Sequence, residues 1–464
     1  MRKSILAAST ALTLAGLTGV AFGQAAVNPI TPGAPGAAFG ASTGTSLPAQ
    51  TYEPGTVQAY VRGRMYTDFA IVGDSADRIG GKASPVAMGE AVRLYWGFAG
   101  TTNSGLNYGA WAETRYNAGG TTASGNTAGN TIKYQQTVGY VGGKWGTLRF
   151  GNSYDAMMMF MTGTFENIGD TAWDGDLGGL VHTATIVNWP FNENSGEYGN
   201  LKFTYLSPQW NGFDFGLSWQ PDSTGMGYPG NATAGIGDPR TTSLTTGTFA
   251  ASAGNTGLRR ETNVLEAAAR YAGNIGPVGV IAEASVMTAG TISNNGLTGS
   301  TTSNAAPYKM AKPFAFDAGL VGSYGGFSVG GHIVTGKINP NGSNELMAVA
   351  AGHGSTTAWL VGAQYVMGPW GFSASYLQSL TPGAYAEDYA VAPNYTGPTT
   401  FGKRKEIGAV ASAAYNYAPG ATLSLSYEYG GRKQVGYNFY TDAKGAAGNN
   451  TKAQGLILTN YFQW

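Results

Sequence analysis

Apolar and polar residues alternate with a period of two along this chain in sixteen segments, each about nine to thirteen residues long, the span of a tilted strand that crosses a membrane. In the first, Val57 to Phe69, the residues Val57, Ala59, Val61, Met65 and Phe69 fall on one side. Gln58, Tyr60, Arg62, Arg64 and Asp68 fall on the other. Phe213, Phe215, Leu217 and Trp219 alternate in the same way with Asp214, Gly216, Ser218 and Gln220, and Leu423, Leu425, Tyr427 and Tyr429 with Thr422, Ser424, Ser426 and Glu428. The last segment, Ala453 to Trp464, sets Leu456, Leu458, Phe462 and Trp464 on one face, with Asn460 the polar exception, and stops on the aromatic. In water that ending is a sticky edge. A soluble sandwich shows such alternation a few times; sixteen repeats with Tyr and Trp gathered at segment ends predict an all-β fold, a transmembrane antiparallel β-barrel of 16 strands.

The connections alternate between short and long. Tight turns rich in Gly, Pro or Asn are expected at Gly142 to Trp145, Ser207 to Asn211, Gly273 to Gly276, Gly325 to Gly326, Gly368 to Pro369 and Ala418 to Gly420. Long polar stretches lie between them, as at Gln220 to Thr262, Thr288 to Lys312, Gly336 to Thr356 and Gly430 to Thr451. Short turns on the periplasmic side, long loops outside and an even strand count put both termini in the periplasm.

Arg2 and Lys3 precede a weakly apolar run, Ile5 to Val20, and the small residues Ala21 and Gly23 stand where a cleavage site needs them. Residues 1–23 therefore read as a secretory signal peptide, too short and too rich in Ser and Thr for a membrane anchor. Residues 24–55, with Pro29, Pro32, Pro35, Pro48 and Pro54, read as a flexible Pro/Gly/Ala-rich periplasmic segment, and residues 56–464 as the barrel. Charged residues are 11% of the chain, against roughly 25% in soluble domains. Glycine supplies 73 of 464 residues, which suits a wall that turns its polar side chains inward. The absence of cysteine excludes a disulfide framework, a thiolate metal site and a cysteine nucleophile. A net charge of zero gives no electrostatic argument for a nucleic-acid partner.

The segment Tyr140 to Asn152 (YVGGKWGTLRFGN) carries a Gly-x-Leu-x-x-Gly pattern at Gly146, Leu148 and Gly151 and opens a long loop. With the terminal aromatic strand, it makes the chain resemble the trimeric sixteen-stranded porins of Gram-negative outer membranes over Val57 to Trp464. Two features depart from the family pattern, a final Trp464 where Phe is usual and the added residues 24–55. The resemblance implies an outer-membrane location, contact with lipid and lipopolysaccharide, a homotrimer, no cofactor, and a third external loop, 152–199, folded into the lumen to narrow it. It also implies that Phe462 and Trp464 form the signal read by the barrel-assembly machinery during insertion.

Strand parity turns Arg62, Arg64, Arg93, Arg115 and Arg149 inward; an arginine facing lipid near the midplane costs roughly 2 to 4 kcal/mol. The loop supplies Asp155, Glu166, Asp170, Asp174 and Asp176. In similar porins an acidic loop faces a basic wall, and the transverse field across the gap orients dipolar solutes and penalises apolar ones. Each loop acid has a second reading, as a solvated or locally paired charge. Met157 to Met161 form an apolar patch that anchors the loop or, alternatively, offers a greasy slide to solutes. Tyr60, Tyr95 and Trp111 fill space or stack on sugar rings, and Lys403-Arg404-Lys405 meets headgroups, solvent or an anionic solute.

His182, His332 and His353 sit in no catalytic motif, no His pair has metal-ligand spacing, and no nucleophile, base and orienter converge in the sequence. The expected function is a water-filled channel for passive diffusion of small hydrophilic solutes and ions, not an enzyme. A substrate-selective porin for a sugar or an organic anion is the alternative.

Overall fold

The alternating segments pair edge to edge into a closed antiparallel barrel. The computed structural model describes residues 54–78, 84–118, 133–163, 168, 180–181, 201–222, 261–291, 311–339, 347–348, 354–382, 403–440, 443–444 and 448–464. The expected signal peptide and nearly all of the segment 24–55 lie outside the described residues, as do most residues of the long loops. The barrel strands, numbered around the wall, are β1 (Val57–Asp74), β2 (Val86–Thr101), β3 (Asn107–Ala118), β4 (Lys133–Gly143), β5 (Gly146–Asn152), β6 (Leu201–Leu206), β7 (Phe213–Asp222) and β8 (Glu261–Ile275). They continue with β9 (Val278–Thr291), β10 (Phe314–Tyr324), β11 (Phe327–Gly336), β12 (Thr356–Met367), β13 (Trp370–Thr381), β14 (Arg404–Ala418), β15 (Ala421–Lys433) and β16 (Asn450–Gln463).

Strand lengths spread more widely than the alternation suggests. β1 runs for 18 residues because it pairs with β2 over Val57–Ile71 but with β16 over Arg64–Asp74. The stagger that closes a barrel makes a strand longer than either of its pairings. β5 and β6 have 7 and 6 residues: they flank residues 153–200, whose first described stretch, 153–163, lies inside the barrel. The chain reverses at all six expected places, with two reversals displaced: β6 to β7 turns at Asn211–Gly212 and β8 to β9 at Gly276–Pro277, because β8 continues through Gly273 to Ile275. A seventh, between β2 and β3, was not among them; Thr102 N–H donates to Leu106 O at 2.8 Å, and Leu106 N–H to Thr102 Oγ1 at 3.0 Å.

The faces are inverted relative to a soluble protein. Val61, Phe69, Leu217, Leu320, Val361, Leu425 and Leu458 are exposed on the outside, while Arg64, Glu113, Ser218, Asp317, His332 and Glu428 are buried within. Such an outer face is stable only against hydrocarbon. Aromatic side chains belt it. Near the short turns Trp145 stacks on Tyr205 at 6.3 Å and Trp370 packs on Tyr415 at 4.5 Å; toward the loop end Phe203 stacks on Trp219 at 6.1 Å and Trp359 packs on Tyr376 at 5.5 Å.

Closure is made by the last residues of the chain. Gly63 and Trp464 exchange both backbone hydrogen bonds, at 3.1 and 3.0 Å, and Gln463 N–H donates to Gly420 O at 2.8 Å. The indole of Trp464 lies flat on Gly63, where a Cβ would collide with the ring. An aromatic laid over a cross-strand glycine covers backbone that the glycine leaves bare. Deleting Trp464 is therefore expected to lower the yield of folded barrel, and Gly63→Val to lower it comparably by lifting the indole, whereas Trp464→Phe retains the cover. The heat-modifiable electrophoretic band of refolded protein measures all three; a normal band from Gly63→Val contradicts the account.

Candidate functional site

Loop 153–163 folds back into the barrel and lies along the inner wall of β6 to β11. Its first turn is a five-residue helix, α1 (Ala156–Phe160), capped by Asp155, whose Oδ1 accepts the Met158 N–H at 2.7 Å. A helix this short does not persist alone; the wall holds it. Ala156 N–H donates to Ser218 Oγ at 2.6 Å, and Met157 N–H reaches Glu266 Oε2 at 3.5 Å. Lys202 donates to Ser153 O at 2.9 Å. Met157, Met158, Met159, Phe160 and Met161 are all buried among Leu206, Val264, Ala268 and Met287, at roughly 1.5 to 3 kcal/mol per large apolar side chain. The methionine run is thus the anchor of the loop.

Beyond the helix the loop continues around the wall. Thr162 N–H donates to Glu283 Oε2 at 3.2 Å, and His332 Nδ1 meets Thr162 O at 2.8 Å. This approach requires Gly319, because a Cβ there would occupy the position of Thr162 O. Further on, Ser373 Oγ donates to Ile168 O at 3.0 Å, and Leu180 packs on the same apolar cluster as the helix.

The wall that receives the loop is rich in carboxylates. Asp214 (β7), Arg270 (β8) and Glu283 (β9) stand in one register row. Arg270 forks onto Asp214 through Nε and Nη2 at 3.1 and 2.6 Å, and its guanidinium lies 5.0 Å from the Phe160 ring. Asp317 accepts from Ser285 and faces His332 Nε2 at 3.4 Å. The serine bonds the carboxylate and not the imidazole, so this trio is not a nucleophile–base pair.

The structure places Arg62, Arg64, Arg93, Arg115 and Arg149 on the inner side, in two groups. Arg64, Arg93 and Arg115 oppose one another in a single row across β1, β2 and β3, with Arg62 one inward position nearer the turns. Glu113, which sequence reasoning passed over, tempers the row: its carboxylate takes Arg115 Nε at 2.5 Å and Gln136 Nε2 at 2.9 Å. Arg149 falls on a different row, that of Tyr140. It lies 5.8 Å from the Trp111 ring with Nη1 on Met159 Sδ at 3.2 Å, and no carboxylate pairs with it among the described residues.

Of the loop acids, Asp155 is turned to the helix cap, with Lys202 at 4.0 Å. Glu166, Asp170, Asp174 and Asp176 lie outside the described residues, as do His182 and His353. Tyr95 and Trp111 are buried in a cluster with Val138 and Tyr140, against which Tyr60 packs. Lys403 and Lys405 are exposed, but Arg404 is not. Strand parity turns it inward, where it donates to Gln434 Oε1 at 3.0 Å and covers Tyr437 and Phe439. Asp214 already stands on the polar side of its segment in the sequence, and Glu266, Glu283, Asp317 and Arg270 are legible by the same parity that places the arginines.

A family model described as Gram-negative porin matches residues 8–434. No curated protein sequence matches the chain. Among solved structures, the chain is similar to the anion-selective porin from Comamonas acidovorans (13% identity over 88% of this chain and 100% of that one, TM-score 0.49) and the outer membrane channel DcaP of Acinetobacter baumannii (12%, 90% and 100%, TM-score 0.49). It is also similar to OmpF of Salmonella typhi in complex with daunomycin (12%, 88% and 97%, TM-score 0.47).

The Asp214–Arg270 pair under the loop helix gives a direct test of the docking strip. Asp214→Ala leaves a buried guanidinium without its carboxylate and is expected to destabilise the barrel by about 3 to 5 kcal/mol. The midpoint of urea unfolding, followed by loss of the heat-modifiable band, reads the change; an unaltered midpoint shows that the pair carries no load.

Proposed function

We propose that this chain, which belongs to the Gram-negative porin family and is an outer-membrane channel, passes small hydrophilic solutes and ions by passive diffusion through a constriction between loop 152–199 and the inner arginines. The observation that carries the reading is the loop itself: a polar-lined closed barrel holds a segment of its own chain inside the lumen, along the wall, by side-chain-to-backbone hydrogen bonds. Solutes meet the row of Arg64, Arg93 and Arg115, whose backbones span about 10 Å across three strands. That distance equals the Debye length at about 0.1 M salt, so the three guanidinium groups, together with the Glu113 carboxylate paired to Arg115, act on a passing ion as one patch.

In the same reading the protein is a homotrimer embedded in outer-membrane lipid and lipopolysaccharide, inserted by the barrel-assembly machinery, with both termini periplasmic. These follow from family membership and from the short turns sharing one end of the barrel with Trp464. Conductance in a planar bilayer tests the channel. Current that rises linearly with solute supports diffusion, whereas a saturable current competed by a sugar or an organic anion supports the selective alternative.

Charge substitutions test the constriction. Neutralising Arg62, Arg64 and Arg93 together is expected to move the reversal potential in a salt gradient toward cation selectivity. The shift should shrink as salt rises to 1 M, where the Debye length is about 3 Å. An unchanged reversal potential at low salt removes these arginines from the conducting path. Gly319→Val, which pushes Thr162 off the wall, is expected to alter single-channel conductance while leaving the barrel band intact; identical conductance would separate the loop from the constriction.

A further inference from the structure

Three adjacent strands bring Glu283 (β9), Asp317 (β10) and His332 (β11) together under the docked loop. Glu283 and His332 both stand opposite Gly319 in register, and Asp317 is one inward position away on the same strand as that glycine. One potential ligand atom from each of the three lies within 4.8 Å of the others. All three side chains are buried, Asp317 and Glu283 at 0% and 5% exposure. We propose that Glu283, Asp317 and His332 form a binding site for a divalent cation of the zinc class, which pins the loop to the barrel wall.

The hydrogen bonds around the trio fix its chemistry. A carbonyl oxygen only accepts, so the contact of 2.8 Å between His332 Nδ1 and Thr162 O places the proton on Nδ1. The Nε2 lone pair is then directed to Asp317 Oδ2, 3.4 Å away. In a tetrahedral site with bonds of about 2.0 to 2.1 Å, neighbouring ligand atoms stand about 3.3 to 3.4 Å apart. The second oxygen of Asp317 is occupied by Ser285 and that of Glu283 by Thr162 N–H. Among the described residues, Asp317 Oδ2 and Glu283 Oε1 meet no hydrogen-bond donor although both are buried.

Asp317 Oδ2 and the imidazole lone pair lie 3.4 Å apart, and Glu283, which approaches the ring through Oε2 at 3.8 Å from Nδ1, borders them in a buried site. Two buried carboxylates at this separation repel one another, and a doubly charged cation neutralises both while using the carboxylate lone pairs that no donor among the described residues satisfies. An imidazole in the set favours zinc-like ions over calcium or magnesium, which take oxygen ligands. A histidine that binds metal commonly donates its other N–H to a backbone carbonyl. Here that carbonyl belongs to Thr162 of the loop, and Glu283 accepts from the N–H of the same residue, so loading the site and docking the loop reinforce each other. Arg270 stands opposite Glu283 in register and places positive charge beside it, while its Nε and Nη2 are bonded to Asp214. The competing occupant is a proton shared between the carboxylates.

Refolded full-length protein, stripped with a chelator and titrated with ZnCl2 in detergent, is the test. One Zn2+ per chain is expected by calorimetry and by metal analysis after gel filtration. The temperature at which the folded band is lost should rise on loading. His332→Gln and Asp317→Asn should lose the uptake, while replacing His182 and His353 together should preserve it. Cobalt provides a readout that needs no variant: a visible absorption band of four- or five-coordinate Co2+, displaced by Zn2+, is expected from the parent protein. Absence of both zinc uptake and the cobalt band in the folded parent overturns the site and favours the shared proton. Uptake lost on replacing His182 and His353 also overturns it. The pinning role rests on the channel reading, and its readout is separate. Zinc should reduce open-channel current noise in the parent but not in His332→Gln; binding with unchanged noise refutes the pinning alone.

Discussion

Every backbone N–H and C=O in the wall must find its partner inside the protein, because hydrocarbon offers none. Sheets meet that demand only by closing, so the β1–β16 seam is the contact on which the rest depends. β1 answers to two partners at different registers, and its turn-side half extends past the end of the chain with β2 as its neighbour. The Gly63–Trp464 bond pair is where the second partner stops. An indole laid over a glycine at that point shields the last bonded backbone from competing donors.

Closure creates a second requirement on the inside. Side chains that alternate away from lipid are polar and crowded, and they have to be satisfied by one another or by something that enters the lumen. The loop does this with its backbone. Ser218, Glu266 and Glu283 receive the N–H groups of Ala156, Met157 and Thr162, while His332 meets a carbonyl. The apolar face of the helix then covers Val264, Ala268 and Met287, inward residues that would otherwise meet water. Loop conformation is therefore a property of the wall opposite, and short β5 and β6 mark where the chain is released to reach it.

The fold was legible because one physical rule, alternation against two media, repeats sixteen times and averages out local exceptions. The turns were legible where Gly, Pro or Asn forces a reversal. The Thr102–Leu106 turn carries the same signal in Asn103 and Gly105, the latter at positive φ, and the Thr102 hydroxyl closes it. Parity placed the inner arginines, yet it says nothing of height around the barrel, so the separation of Arg149 from the Arg64 row needed the register. Asp155 looked like any other loop acid because an N-cap is recognised by the helix it starts, and a five-residue helix leaves little periodicity to read. Spacing rules for metal sites look along one element. Glu283, Asp317 and His332 are 34 and 15 residues apart, and only pairing of neighbouring strands unites them.

The two inner walls are complementary in what they do with charge. On the β7–β11 side, Asp214 is paired with Arg270, while Glu266 and Glu283 accept backbone N–H groups of the loop and Asp317 accepts from Ser285. On the β1–β3 side, three guanidinium groups share one row with Glu113 as an intimate counter-charge to Arg115. A net formal charge of zero for the whole chain therefore conceals an uneven interior. Paired charges contribute little to the potential in the gap, and closely spaced like charges add. In the channel proposed above, the charge that a solute meets on the β1–β3 side is that of the row taken together with Glu113.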